Sequence, residues 1–217
     1  AELITIRDWL RYAVSRFNGA DLVYGHGTSS ALDEAAFLIL ETLRLPVDDI
    51  NPWLDARLTA PERERLASLI EARIETRKPA AYLLNKIYIR DIPFYIDERA
   101  IVPRSYIGEL LFAPHVVGEE NALIPYPQGV HAILDLCAGS GCLAIVAAKI
   151  FPDAAIDAVD LSADALAVAE RNVDEHGLRG RIALHRGDLY APVEGRRYDL
   201  IIANPPYVDA ETMARLP

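Results

Sequence analysis

The residues with the most evident chemical capacity lie in Tyr198-Asp199-Leu200-Ile201-Ile202-Ala203-Asn204-Pro205-Pro206-Tyr207. Leu200 to Ala203 is a continuous apolar run, as expected of a strand buried on both faces of a parallel sheet. It breaks at Asn204, and two prolines then impose an extended turn at the strand's carboxyl end. Because prolines carry no N–H, Asn204 and Pro205 offer a side-chain amide oxygen and a backbone carbonyl with few competing donors. Such a turn can accept both hydrogens of a planar –NH2 group, while Tyr207 covers the plane of that group. Methylation of an amide or amino nitrogen needs that arrangement. The competing reading is a Pro-Pro pair that simply ends a strand.

A second chemical stretch is Asp135-Leu136-Cys137-Ala138-Gly139-Ser140-Gly141. Its glycines allow a ligand to approach the backbone closely at the start of a helix. Gly139-Ser140-Gly141-Cys142-Leu143-Ala144 also fits the dinucleotide pattern G-x-G-x-x-A, with Asp160 about 20 residues on as a ribose-binding acid. The loop alone therefore admits either a nicotinamide cofactor or S-adenosylmethionine. Asp135 favours the second, because an anion is poorly placed beside a pyrophosphate and well placed beside an ammonium and a sulfonium. Asp160 holds ribose hydroxyls under either reading. Asp188 is placed to hydrogen-bond an adenine amino group, with Leu189 against the ring. Singly, each aspartate could be a helix cap or a solvated loop acid; three at the ends of three successive strands point to a ligand.

These residues need a scaffold, and the chain supplies two kinds. Residues 1–80 read as a helical domain. Trp9, Leu10, Ala13, Val14 and Phe17 recur at helical spacing behind Thr5, and Ala35 to Leu43 form a more apolar helix ending near Pro46. Thr59-Ala60-Pro61-Glu62 fits a capping box ahead of Leu66, Leu69, Ile70 and Ile74. These stripes are assigned to core, and His26 in the intervening polar loop to the surface. Residues 81–103 change period and read as a β-hairpin linker around Arg90-Asp91-Ile92-Pro93, acting as a spacer. Residues 104–217 then alternate strands (Ile133–Leu136, Ala155–Val159, Ile182–Leu184, Leu200–Ala203) with helices (Gly141–Ile150, and Ser162 to His176). That βαβαβ pattern predicts an α/β, doubly wound parallel sheet with ligands at the carboxyl ends of its strands.

Composition narrows the function classes. The chain has 217 residues, 52% hydrophobic and 25% charged, with 22 basic against 32 acidic side chains and a net charge of −10. Residues 1–80 carry 10 basic and 13 acidic groups, and the remainder 12 and 19, so neither part has the basic footprint of an unaided nucleic-acid binder. A basic protein partner suits the field better. Cys137 and Cys142 lack a CxxC pair or a histidine cluster, so no metal site is expected and both read as packing thiols of a reducing cytosol. With no leader-like N-terminus and no apolar run of membrane-spanning length, a cytoplasmic protein without membrane contact is expected.

Taken together, Asp135…Gly139-x-Gly141, Asp160, Asp188 and Asn204-Pro205-Pro206-Tyr207 resemble class I S-adenosylmethionine-dependent methyltransferases acting on planar amide or amino nitrogens. The helical N-terminal domain, the hairpin and Val102-Pro103-Arg104 resemble, more narrowly, the protein-(glutamine-N5) methyltransferases. Two bacterial branches exist, one modifying peptide-chain release factors and the other the large-subunit ribosomal protein L3. Arg104-Ser105-Tyr106-Ile107-Gly108-Glu109-Leu110 departs from the Pro-Asp-Thr-Glu that follows the arginine in the release-factor branch. It is similar to the ribosomal branch, as are Thr5-Ile6-Arg7-Asp8-Trp9-Leu10-Arg11 and Tyr24-Gly25-His26-Gly27-Thr28; Tyr106 stands where that branch more often has proline.

The resemblance implies S-adenosylmethionine as cofactor, held by Arg104, Asp135, Cys137, Ala138, Gly139, Gly141, Asp160, Leu161, Asp188, Leu189 and Asn204. It implies catalysis by Asn204, Pro205, Pro206 and Tyr207, and a glutamine N5 of ribosomal protein L3 as acceptor. It also implies that the class I domain continues through about three further C-terminal strands, which this chain is expected to lack. Four alternatives stay open at this point: the release-factor glutamine, an adenine N6 or other base amino group, a non-catalytic adaptor that has kept the fold, and, more remotely, an NAD-dependent oxidoreductase.

Overall fold

The computed structural model describes residues 3–25, 27–103 and 106–205. The chain divides into two compact units, Ala1–Ile87 and Tyr88–Pro217.

The first unit is helical. Helix α1 (Ile6–Gly19) opens with Thr5, whose hydroxyl accepts from the Asp8 amide while the Asp8 carboxylate accepts from the Thr5 amide, a reciprocal capping box. Helix α2 (Ala31–Leu43) is capped by Ser30 and ends at Arg44 in the left-handed region. In front of helix α3 (Ala60–Thr76), the Glu62 carboxylate accepts from both the amide and the hydroxyl of Thr59 at 2.8 Å. Ile6, Trp9, Ala13 and Phe17 of α1 pack with Ala35, Leu38 and Ile39 of α2 and with Leu66 and Ile70 of α3.

Two charged side chains share this core. Arg73 of α3 and Glu34 of α2 are both almost fully buried and lie 3.0 Å apart. Glu34 also accepts from the Ala80 amide, and Arg73 donates to the carbonyls of Val23 and Arg77. The pair thus ties two helices, the loop before α2 and the chain leaving α3. A fourth helix, α4 (Ala80–Leu84), occupies the start of the stretch that the sequence assigns to a hairpin. Pro79, with its fixed φ, precedes a run of good helix formers, and this local preference outweighs the weak alternation that follows. The strands of the hairpin are accordingly short, β1 (Ile87–Ile89) and β2 (Ile92–Phe94).

In the second unit, a short helix α5 (Tyr106–Leu111) precedes a parallel sheet of β3 (Ala132–Leu136), β4 (Ala155–Asp160), β5 (Ile182–Arg186) and β6 (Leu200–Ala203). The strand order is β5-β4-β3-β6, so the chain moves outward from β3 to β5 and returns to the other side of β3 with β6. That reversal creates a topological switch point between β3 and β6. Helices α6 (Cys142–Ile150) and α7 (Ala163–Glu175) link the first three strands. On the opposite face Leu134, Leu136, Val159 and Val193 form a small core with Tyr198 packed against it.

Strand β6 is only partly covered by the described residues. Only Ile202 is buried, and Ile201 is half exposed. Among the described residues β6 pairs with β3 alone.

Candidate functional site

The register of the sheet aligns the candidate residues. Leu136 is level with Ala203 on one side and with Val159 on the other, and Val159 is level with His185. The next residues, Asn204, Cys137, Asp160 and Arg186, therefore leave the sheet side by side at its carboxyl edge. Asp188 follows two residues later. The amide-binding candidates Asn204 and Pro205 thus emerge next to the glycine loop, across the switch point.

The loop itself is held in an unusual backbone path. Cys137 takes φ 59°, Gly139 φ 55° and Gly141 φ 75°. Ala138 donates to the Val159 carbonyl at 3.0 Å, Gly139 donates to an Asp160 carboxylate oxygen at 2.7 Å, and Gly141 donates to the Ala138 carbonyl at 2.8 Å. The two glycines do different work. A Cβ on Gly141 would sit 3.0 Å from the Cβ of Ala169, so this glycine permits α6 and α7 to approach. A Cβ on Gly139 would meet nothing within 4 Å, leaving open space over the loop for a ligand. Gly141→Ala is expected to cost about 1–3 kcal/mol of stability through overpacking and strain, with a lowered urea midpoint. Gly139→Ala should cost only about 1–2 kcal/mol, the left-handed penalty, and register chiefly as weakened cofactor binding in calorimetry.

Asp135 differs from a strand-end acid. It lies within β3, fully buried, and by strand alternation faces away from the Leu134–Leu136 core, toward the first turn of α6. Both carboxylate oxygens are buried without a hydrogen-bond partner among the described residues. Burial pushes its pKa up to about 7; the nearby Ala144 amide, not close or aligned enough to count as a bond, offsets this only in part, and the Asp160 charge adds to it. A buried, unpaired acid of this kind fits a cationic ligand group that would complete it. Asp160 ends β4 and is partly exposed. One oxygen accepts from Gly139 and the other from Ser162 at 2.9 Å, so it shapes the loop while keeping lone pairs for a ribose. Leu161, Asp188 and Leu189 are exposed, and Leu189 adopts φ 45°. The Cys137 thiol is pushed up by burial and then by the charges of Asp160, Asp135 and Asp188. Cys142 is buried, with its thiol pushed up to about 12, and serves packing.

The loop, the orphaned acid and the open space over Gly139 fit S-adenosylmethionine. Arg104, Pro206, Tyr207 and the surface assignment of His26 lie outside the described residues. Among the described residues no cluster of His, Cys, Asp or Glu could hold a metal ion, and no helix is long and apolar enough to cross a membrane.

Residues 123–215 match the methyltransferase small domain family. Over the whole chain and 68% of the relative's length, the sequence is 60% identical to the ribosomal protein uL3 glutamine methyltransferase of Bradyrhizobium diazoefficiens. The chain belongs to the uL3 glutamine methyltransferase family. The relative from Burkholderia pseudomallei is 53% identical over 98% of this chain and 70% of its own length, and that from Neisseria meningitidis serogroup A is 54% identical over 100% and 69%. Membership identifies the α/β unit as an S-adenosylmethionine-dependent methyltransferase domain. It also displaces the nicotinamide reading, since the G-x-G-x-x-A match is a property of the loop geometry that both cofactor classes exploit.

One residue in this family site escapes a motif-based reading. Asn172 on α7 is fully buried, and its amide nitrogen donates to the Ser140 carbonyl of the glycine loop at 2.9 Å. Its signal in the sequence is a polar residue in the apolar stripe of Ala165, Val168, Ala169 and Val173.

Proposed function

We propose that this enzyme transfers a methyl group from S-adenosylmethionine to the N5 nitrogen of a glutamine side chain in ribosomal protein uL3, in the cytoplasm. The supporting observation is the 60% identity over the whole chain to an enzyme of that name. An acidic chain also complements a basic protein substrate, without direct nucleic-acid binding.

The acceptor amide is a poor nucleophile because its lone pair is delocalised into the carbonyl. Asn204, through its side-chain oxygen, and Pro205, through its backbone carbonyl, would accept the two amide hydrogens. That orients the nitrogen and supports the positive charge that develops on it during in-line transfer. The position of Asn204 beside Cys137 at the switch point supports this role. Pro206 and Tyr207 would shape the slot for the glutamine side chain. Gly139, Gly141, Cys137 and Ala138 would line the cofactor with their backbone, Asp160 would take the ribose, and Asp188, Leu161 and Leu189 the adenine. Asp135 would face the cofactor's cationic end, and Arg104 would order the segment over it. The bound cofactor supplies the electrophilic methyl; no strong general base is required, because the methylated amide nitrogen is acidic and loses its proton late.

Asn204→Ala is expected to leave cofactor affinity within about twofold and to lower turnover a hundredfold or more, the effect of removing one preorganised polar contact to developing charge. Asn204→Asp keeps the acceptor oxygen and should retain much more activity than Ala. Equal losses of stability, cofactor affinity and turnover in both variants would reduce Asn204 to a turn cap. For the substrate, mass spectrometry of ribosomal proteins from cells lacking the enzyme should show one methyl missing from uL3. A methyl missing instead from a release factor, with uL3 unchanged, would overturn the assignment.

A further inference from the structure

Asn172 joins two backbone segments that are far apart in sequence. Besides its 2.9 Å bond to the Ser140 carbonyl, its amide nitrogen donates to the Tyr95 carbonyl at 3.0 Å, and its side-chain oxygen accepts from the Tyr95 amide at 2.7 Å. The side chain is fully buried, so these three bonds form in a low dielectric, where each lost partner leaves an unpaired polar group. The preceding residue on α7 adds a second hold, since the Arg171 guanidinium lies 3.5 Å from the centroid of the Tyr95 ring. Beyond Tyr95 the segment is internally braced. The Tyr95 hydroxyl donates to Asp97 at 2.8 Å, and Asp97 pairs with Arg99 at 2.7 Å. This segment runs to Val102-Pro103, immediately ahead of residue 104.

On the loop side, Ser140 sits between two residues with positive φ, Gly139 and Gly141. Asp160 holds the loop at the Gly139 amide, and Asn172 holds it at the Ser140 carbonyl. The glycines take these angles freely, but Cys137 at φ 59° is a non-glycine residue in the left-handed region, and such a conformation persists only when its surroundings over-determine it.

We propose that Asn172 is a positioning residue for the cofactor loop, holding Ser140 and the Tyr95 backbone in one hydrogen-bonded unit so that cofactor binding and ordering of the 94–97 segment are coupled. The inference rests on reading residues 137–141 as the loop that carries S-adenosylmethionine. Replacement by Asp keeps the acceptor for the Tyr95 amide but sets a carboxylate oxygen against two carbonyls. It therefore acts on the loop side of the tether more than on the size of the side chain.

The test uses the full-length protein and S-adenosylhomocysteine, read by calorimetry and by amide hydrogen exchange. Asn172→Asp is expected to weaken binding tenfold or more. Val173→Ala, one residue on and also buried, removes packing but no hydrogen bond to the loop, and should lower thermal stability while keeping the Kd within twofold. In the unsubstituted protein, saturating ligand should slow exchange of the Tyr95 amide several-fold more than that of the Phe151 amide, at the far end of α6. A Val173→Ala Kd as weak as that of Asn172→Asp would overturn the proposal, and if Asn172→Asp fails to fold, a Tyr95 amide no more protected than Phe151 overturns it by itself. If the parent protein binds no ligand, or Gly139→Ala binds it unchanged, the loop assignment itself is wrong. Binding by the parent that Gly139→Ala weakens and Asn172→Asp leaves intact would overturn the coupling alone.

Discussion

Replacing Asp135 by Asn should stabilise the cofactor-free protein at pH 8 by up to roughly 4 kcal/mol and, in the same step, weaken its hold on the cofactor. The sign follows from the direction of the shift. The Asp135 carboxyl is pushed up to about 7 in the folded chain, foremost by burial, against an ordinary value of 3.8. The folded state therefore binds this proton more tightly than the unfolded state does. Below about pH 4 both states are protonated and nothing is lost; between 4 and 7 stability falls as pH rises; above 7 the whole penalty applies. Asn carries no charge and removes that slope. Denaturation of parent and variant at pH 4, 6 and 8 checks it, and equal pH slopes in the two proteins would show that Asp135 is not a buried, ionising acid. Cofactor binding should show the reverse dependence. A cation beside Asp135 favours its charged form, so binding near pH 6 should release a proton and weaken by up to tenfold per unit of falling pH. Calorimetry in two buffers of different ionisation enthalpy measures that proton, which Asp135→Asn should abolish.

Arg73→Met should cost about 3–5 kcal/mol, because it leaves Glu34 charged and unpaired in the core of the helical unit. The substitution also strands the Val23 and Arg77 carbonyls. The Tyr24 hydroxyl adds to the demand for polar partners in this region. It is buried without a partner among the described residues, and burial, followed by the Glu34 charge, pushes its pKa up. Replacing both members of the pair, Glu34→Leu with Arg73→Met, should recover a substantial part of the loss, since apolar side chains of similar volume need no desolvation. Urea denaturation of both single variants and the double variant, followed by helical circular dichroism, gives the coupling directly. Additive losses would mean that the two charges do not depend on each other.

Much of this molecule can be read along the chain because it is encoded locally. Thr5 with Asp8 and Thr59 with Glu62 mark helix starts by residues three apart, and both helices begin where those residues place them. The four strands of the sheet and the glycine loop follow from apolar runs and glycines within a few positions of each other. The methyltransferase family is carried by short motifs at those strand ends, and the whole-chain relatives agree with it. What the chain does not announce is which polar groups meet across it. Asp135 reads as a strand-end acid, and only packing under α6 turns it into a buried, unpaired carboxyl. Glu34 and Arg73 stand in apolar helical stripes 39 residues apart and become a pair only when α2 and α3 pack. Asn172 bonds partners 77 and 32 residues away. Hydrogen-bond partners at such separations are selected by the fold, through burial that makes an unpaired group costly, and no local pattern of residues specifies them.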